Sequence, residues 1–372
     1  MSDAPDGGNQ PRGIVKINGA AIDAWVEWST EVTSFTGPST FSVTLAMAAL
    51  PDATNVDYFA ASSDLDVEIF AGRPTNAASF TATDLTSIFA GKADDVVADW
   101  LERSLTLTGR DLSAPLIDTK TSDKYVNQTA SQVATTLAGK YGLTPVITAT
   151  TGKVGKFYKT DHIDLKDERT EWDLLTWLAR EEGFRAYVKG RELHFEPEPT
   201  DDSGTPFAIR RVPGGGARTE SGNYVTLRTS HTLTIAGDIE VTVKSVNPKS
   251  KKSFTATAKK GGGGGKTKGL VGGGKKKAQK YSYIFAGLTQ DGCQKKANQL
   301  LAELSKHEMK LGFSGAAVDS LFITDSITLT GTDTAWDQTY HPDSIHREMS
   351  VEDGYSWSVE AKNHGTTSQP TL

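Results

Sequence analysis

A single cysteine, Cys293, stands among 372 residues. That excludes a disulfide framework within the chain and fits assembly in a reducing cytoplasm. No apolar run approaches the roughly 20 residues a spanning helix needs. The first ten residues have neither the basic start nor the apolar stretch of a secretory signal. A soluble protein without stable membrane association is expected, long enough for two or three domains with ordinary cores.

Sequence signatures of catalysis and metal binding are also missing. His307-Glu308 begins a zincin-like pattern, but Leu311 stands where the second histidine belongs. His341 and His346 are five residues apart, which on a strand puts them on opposite faces. The run Gly261–Gly265 followed by Lys266-Thr267 imitates a phosphate loop, yet Lys260 occupies the position of its first glycine. Gly312-Phe313-Ser314-Gly315 has the wrong spacing for a serine elbow. Cys293 lies near a helix start, where a thiol can acidify, but a lone helical cysteine usually serves as a small buried hydrophobe. Asp94/Asp95 and Glu181/Glu182 are adjacent rather than convergent. The expectation is no catalytic residue, no cofactor and no metal.

What is present is an uneven charge. The formal net charge of −6 combines 40 Lys+Arg with 46 Asp+Glu, but residues 249–280 hold 11 lysines, no arginine and no acid. Subtracting those lysines leaves 29 basic residues against 46 acidic ones, a balance of −17 for the other 340 positions. With Phe254 its only aromatic, the segment lacks the stacking platforms and bidentate readers of nucleic-acid recognition. Its composition predicts a flexible loop. Lys251, Lys252, Lys259, Lys260, Lys266, Lys268, Lys275, Lys276 and Lys277 are its candidate partner contacts.

Hydrophobic periodicity supplies the architecture. Phe41, Val43 and Leu45 alternate with polar neighbours, as do Leu65, Val67 and Ile69, and then Leu105 and Leu107, the period of half-buried strands. Residues 12–110 therefore read as a first antiparallel β domain, interrupted by a short helix at Val56–Ala61. Residues 111–200 change to an α+β grammar. Thr129 with Gln132, and Thr170 with Asp173, make capping boxes ahead of helical faces that end at Gly142 and Gly183. A hairpin follows, with Phe184–Val188 and Glu192–Glu196 joined at Lys189-Gly190. Residues 201–365 return to strands and include the Lys/Gly loop at 249–280 and a long helix at about 290–309.

Three separated blocks carry a resemblance to a known family. The first runs through Gly109-Arg110-Asp111-Leu112-Ser113, Tyr125 to Thr129 and Leu137 to Gly142. The second is Glu171-Trp172-Asp173-Leu174-Leu175 through Gly183-Phe184 and Val188-Lys189-Gly190. The third is Gly331 to Gln338, with Trp336-Asp337-Gln338, through His346 and Gly354-Tyr355. In these blocks the chain resembles baseplate hub proteins of contractile phage tails, the late-control gene D class. It is also similar to the N-terminal part of type VI secretion spike proteins. The resemblance implies a mainly β fold: two tube-like antiparallel β-barrel domains flanking a small two-helix α+β domain.

It also implies a virion structural protein of the tail baseplate, assembled in the bacterial host cytoplasm. Three copies would form a homotrimer presenting six tube-like domains, a symmetry adapter between a six-fold tube and a three-fold spike. The expected partners are a separate trimeric spike protein and a hexameric tail-tube protein or tube-terminal adapter. Other baseplate proteins and the tape-measure protein complete the set, and DNA passes through without specific binding. A cell-wall hydrolase and a carbohydrate-binding β module are the competing classes.

The lysines of 249–280 face a remainder of opposite sign, so the loop is expected to reach a neighbouring acidic surface during assembly. Deleting residues 259 to 277 is expected to weaken assembly or tube docking. Sedimentation at low and high salt checks this, and assembly unchanged under both conditions contradicts it.

Overall fold

The computed structural model describes residues 10–33, 37–121, 125, 128–152, 170–197, 205–215, 220–232, 239–247, 252–259, 279–305 and 309–363. The chain divides into two compact units. The first takes residues up to Thr200 together with Gly315–Ile323 and Ser344–Ser358; the second takes Asp201–Ser314, Thr324–Asp343 and the residues from Val359 onward. The fold is mainly β with an α+β insert.

The first unit opens with β1 (Arg12–Ile17), β2 (Ala20–Ala21), β3 (Trp25–Thr33) and β4 (Thr40–Ala46). Helix α1 (Val56–Ala61) precedes β5 (Asp66–Gly72), β6 (Thr86–Asp99) and β7 (Ser104–Asp111). The hydrogen-bonded order of these strands is β3-β4-β7-β6-β5-β1-β2. The register sets Trp28 against Val43 and Val43 against Leu107, so the alternating apolar residues point to one side. Val15, Ile17, Val43, Leu45, Val67, Ile69, Leu105 and Leu107 are all buried there. The sheet curls until Gly13 lies against Trp28 and the Met349 sulfur. It does not close as the expected barrel, because β1 spends its second edge on the two-residue β2.

The insert contains α2 (Ala114–Asp118), α3 (Ala130–Lys140), β8 (Thr144–Ile147), α4 (Glu171–Glu182), β9 (Phe184–Lys189) and β10 (Glu192–Pro197). Both expected capping boxes form: the Thr129 and Thr170 hydroxyls each accept the N–H three residues on. Gly183 ends α4 at φ +70, a left-handed conformation that glycine adopts without strain. The hairpin forms as read, and β8 adds to β10 in parallel. Val133 and Leu137 of α3 meet Leu174, Leu175 and Leu178 of α4 over this small sheet. Glu171 is fully buried, and its carboxylate accepts from Lys140 Nζ and Tyr141 Oη at 2.5 Å each.

In the second unit, β11 (Phe207–Val212), β12 (Ser221–Gly222) and β13 (Thr226–His231) lead to β14 (Ile239–Asn247), β15 (Lys252–Lys259) and β16 (Gln279–Ala286). Helix α5 (Gln290–Ser305), β17 (Met309–Ala316) and β18 (Ile327–Thr330) follow. The last strands, β19 (Thr339–Ser350) and β20 (Gly354–Lys362), give residues to both units. Within the second unit β13 pairs β17, and β11 runs parallel to β18. The strands β15-β14-β16 form a separate sheet, and α5 sets Cys293, Ala297 and Leu301 against Val241 and Val243.

Two expectations are corrected here. Part of the flexible loop read at 249–280 is strand: Lys252–Lys259 pairs with β14 along its whole length, and β16 starts at Gln279. The lysine content hid the pattern beneath it, in which Ala256 and Ala258 are buried and Ser253, Thr255 and Thr257 face outward. The helix read at about 290–309 is described to Ser305, and Met309 already belongs to β17.

In the first unit, backbones run very close where β6 meets β7. A Cβ on Gly109 would lie 2.0 Å from the Lys92 carbonyl oxygen, and one on Gly91 would lie 2.2 Å from that of Arg110. Only glycine fits such spacing. Gly109→Ala is expected to destabilise the protein by about 2–3 kcal/mol, because the obstacle is backbone and cannot rotate away. Urea unfolding checks this, and an unchanged midpoint contradicts it.

Candidate interaction surfaces

The quoted blocks resolve into structural devices. Arg110 holds two carboxylates in one fork: its Nε donates to Asp94 Oδ2 at 2.7 Å and its Nη2 to Asp118 Oδ2 at 2.8 Å. Those bonds keep the guanidinium charged and hold the Asp118 carboxyl below its ordinary range. Asp111 accepts from the Ser39 N–H and the Ser113 N–H, both at 2.9 Å; burial pushes its carboxyl up while these bonds pull it down. Gly331 and Asp337 do the corresponding work in the second unit. The Asp337 carboxylate accepts from the N–H groups of Gly331, Thr332 and Asp333 and from the Thr332 hydroxyl. Gly331 sits at φ +89, with the Arg211 carbonyl oxygen 1.9 Å from where a Cβ would be. The Trp336 carbonyl accepts from Tyr340 Oη, and Gln338 Nε2 donates to the Ala335 carbonyl.

The residues weighed for chemistry are dispersed. Cys293 is fully buried against β14, and burial pushes its thiol up. Ser314 lies in a strand with its hydroxyl 2.6 Å from that of Thr226. His346 Nδ1 is 3.0 Å from a Glu31 carboxylate oxygen. Among the described residues, no group of three or more His, Cys, Asp or Glu side chains is placed to hold a metal. His307, Glu308 and the glycine run 261–265 lie outside the described residues. A recess of about 470 Å³ in the second unit is bordered by Arg211, Glu220, Tyr224 and Trp336. Its arginine and glutamate are spent on each other through two bonds of 2.9 Å.

Of the nine candidate lysines, Lys252 and Lys259 fall on β15, while Lys251, Lys260, Lys266, Lys268, Lys275, Lys276 and Lys277 lie outside the described residues. The geometry of their anchor points is nevertheless defined. Glu240 on β14 pairs in register with Lys259 on one side and Lys280 on the other, so β15 ends and β16 begins on opposite sides of one end of β14. Lys259 Nζ is 3.4 Å and Lys280 Nζ 3.8 Å from the Glu240 carboxylate. The outer face of this sheet is basic and partly apolar: Lys244 and Ile284 are register partners, Ile284 is 78% exposed and Val246 is 55% exposed.

A second surface escaped the sequence reading. Among the described strands, β6 beyond Ala93 pairs only with β7, and the resulting arm ends in Trp100 and Leu101, 73% and 89% exposed. The Asp99 carboxylate accepts the N–H groups of Leu101 and Glu102 at 2.9 Å, which fixes the turn. The legible signal was two large apolar residues between Asp99 and Glu102, where a turn should be polar.

No protein-family model and no curated protein matches the sequence. Solved structures do. The tail protein from Neisseria meningitidis MC58 is 15% identical, with 97% of this chain and 98% of that one covered at a TM-score of 0.68. The 43 kDa tail protein of prophage MuSo2 from Shewanella oneidensis is 13% identical, with 95% and 99% covered at a TM-score of 0.62. An E. coli component of the type VI secretion system, described as structurally similar to the T4 bacteriophage tail proteins gp27 and gp5, is 11% identical. It covers 95% of this chain and 77% of its own, with a TM-score of 0.51. The chain thus has the fold of phage tail proteins and of a type VI secretion component that resembles them.

Asp337 provides a test of the structural role assigned to the third block. Removing the carboxylate in Asp337→Ala is expected to cost about 1–2 kcal/mol at neutral pH, the price of a lost cap. Burial acts to raise this carboxyl's pKa, but the hydrogen bonds from Thr332, Asp333 and Gly331 outweigh it and hold it below 3.8. A depressed acid stabilises the fold above its unfolded pKa and loses that contribution as pH falls through the folded value. The penalty of the variant should therefore be full at pH 7 and shrink below about pH 4. Urea titrations at a series of pH values check this, and a pH-independent penalty contradicts it.

Proposed function

We propose that this chain is a structural hub of a contractile phage tail baseplate, a homotrimer that joins the six-fold tail tube to a three-fold spike. The observation that carries the proposal is the end-to-end likeness to tail proteins, with 97% of the chain covered in the Neisseria meningitidis case. The likeness to a type VI secretion component described as similar to gp27 and gp5 favours the spike end of the tail over the tube itself. The placement of the sequence blocks agrees with a structural role, since Arg110, Asp111 and Asp337 are engaged in holding turns and strands.

In this reading the protein resides in the virion, at the tail baseplate, and acts by adhesion and symmetry rather than by catalysis. Its partners are a trimeric spike protein, a hexameric tail-tube protein or tube-terminal adapter, other baseplate proteins and the tape-measure protein. DNA passes through the ring without specific binding. Among the described residues no helix is long and apolar enough to cross a membrane. The lysines of 249–280 contact an acidic neighbour in the assembly.

Mass photometry of the purified protein, alone and with tube and spike proteins, tests the proposal. A closed trimer is expected. Monomers under every condition, or clearing of peptidoglycan in a zymogram, would overturn it.

A further inference from the structure

The arm formed by β6 and β7 presents an apolar tip with nothing in the chain's described contacts to cover it. Trp100 and Leu101 are 73% and 89% exposed, and Val97, on the open edge of the arm, is 59% exposed. Large aromatic and aliphatic side chains held outward on a fixed turn have the composition of binding hot spots. The turn itself is not loose, because Asp99 ties the N–H groups of Leu101 and Glu102. The carboxylates of Asp95, Asp99 and Glu102 flank the apolar residues and are exposed. Such a surface fits an apolar patch rimmed by positive charge and is repelled by an anionic one.

A patch of that kind exists in the same sequence. On the outer face of the β15-β14-β16 sheet, Ile284 is 78% and Val246 55% exposed. Lys244 is the register partner of Ile284, and Lys280 stands four residues before Ile284 on β16, on the same face. The apolar centres match in kind. The tip sets three exposed carboxylates against Arg103, and the face sets Lys244 and Lys280 against Glu240, so the net charges of the two rims are opposite in sign.

We infer that the Trp100–Leu101 tip of one copy docks on the Ile284–Lys244 face of a second copy. The two surfaces differ, so the contact is heterologous: each copy offers its tip to the next, and the series can close into a ring. The inference rests on the trimeric hub reading and adds the contact that would hold the trimer together. The acidic rim also makes the contact sensitive to salt, since exposed charges are screened within about 8–10 Å at physiological ionic strength.

Mixed cross-linking tests it. Chains carrying Leu101→Cys and chains carrying Ile284→Cys, distinguished by tags of different size, are combined and treated with a short bismaleimide. The native Cys293 is fully buried and stays silent. A covalent dimer of unequal tags is expected, with neither chain cross-linking alone. Trp100→Ala should weaken self-association by about 30-fold or more, as loss of a hot-spot aromatic does. Lys244→Glu in one chain should weaken association by about tenfold, and Glu102→Lys in its partner should restore it, a rescue that damage to folding would not produce. If the unsubstituted protein forms trimers but gives no unequal dimer, and Trp100→Ala has no effect, the docking contact is overturned while the hub reading stands. If the unsubstituted protein remains monomeric even with tube and spike proteins, both fall.

Discussion

Gly109, Arg110 and Asp111 are the constraint on which the first unit depends. Gly109 permits β7 to pass so close to β6 that any side chain would strike the Lys92 carbonyl. That approach places Arg110 where one guanidinium reaches both Asp94, at the base of the protruding arm, and Asp118, at the end of α2. The next residue, Asp111, turns the chain out of the sheet by accepting from Ser39 on one side and Ser113 on the other. Three consecutive residues thus couple a sheet, its arm and the entry to the insert. A planar, permanently charged arginine suits this better than lysine, which could not hold both carboxylates in one plane.

The second unit uses the same economy. Asp337 gathers three consecutive N–H groups of a tight turn, and Gly331 allows that turn to lie against β11. In the sheet β15-β14-β16, Glu240 stands between Lys259 and Lys280 and offsets part of their positive charge. Exposed pairs of this sort add little stability by themselves. Their geometric consequence is larger: the end of β15 and the start of β16 are both held to one residue of the strand between them.

Much of this was legible because it is local. The capping boxes at Thr129 and Thr170, the Lys189-Gly190 hairpin and the alternation of Phe41, Val43 and Leu45 depend on neighbours a few residues away, and all four form. Less legible was whatever long-range pairing decides. The strand β6 mixes core residues such as Ile88 and Phe89 with the exposed Val96 and Val97, because half of it lies under β5 and half extends beyond. β15 was obscured because a lysine stands at each end of it, Lys252 and Lys259, while its buried positions Ala256 and Ala258 are small and weakly hydrophobic. Sheet closure could not be read at all, since it turns on whether one edge of β1 finds a distant strand or its own short hairpin. The three sequence blocks carried a resemblance without revealing what their residues do. Only the structure shows Arg110 and Asp337 at work on backbone and ion pairs.

A basic segment in the sequence of an otherwise acidic chain, and an acidic-apolar arm on the same molecule, suit a protein whose surfaces are made to meet others. The central claim is that these surfaces serve a closed ring at the junction of tube and spike. Electron microscopy of the protein reconstituted with its tube and spike proteins tests that claim most directly. The account predicts a three-fold ring of this chain seated between the six-fold tube and the spike; particles in which tube and spike join without it, or in which it binds as isolated single copies, would contradict it.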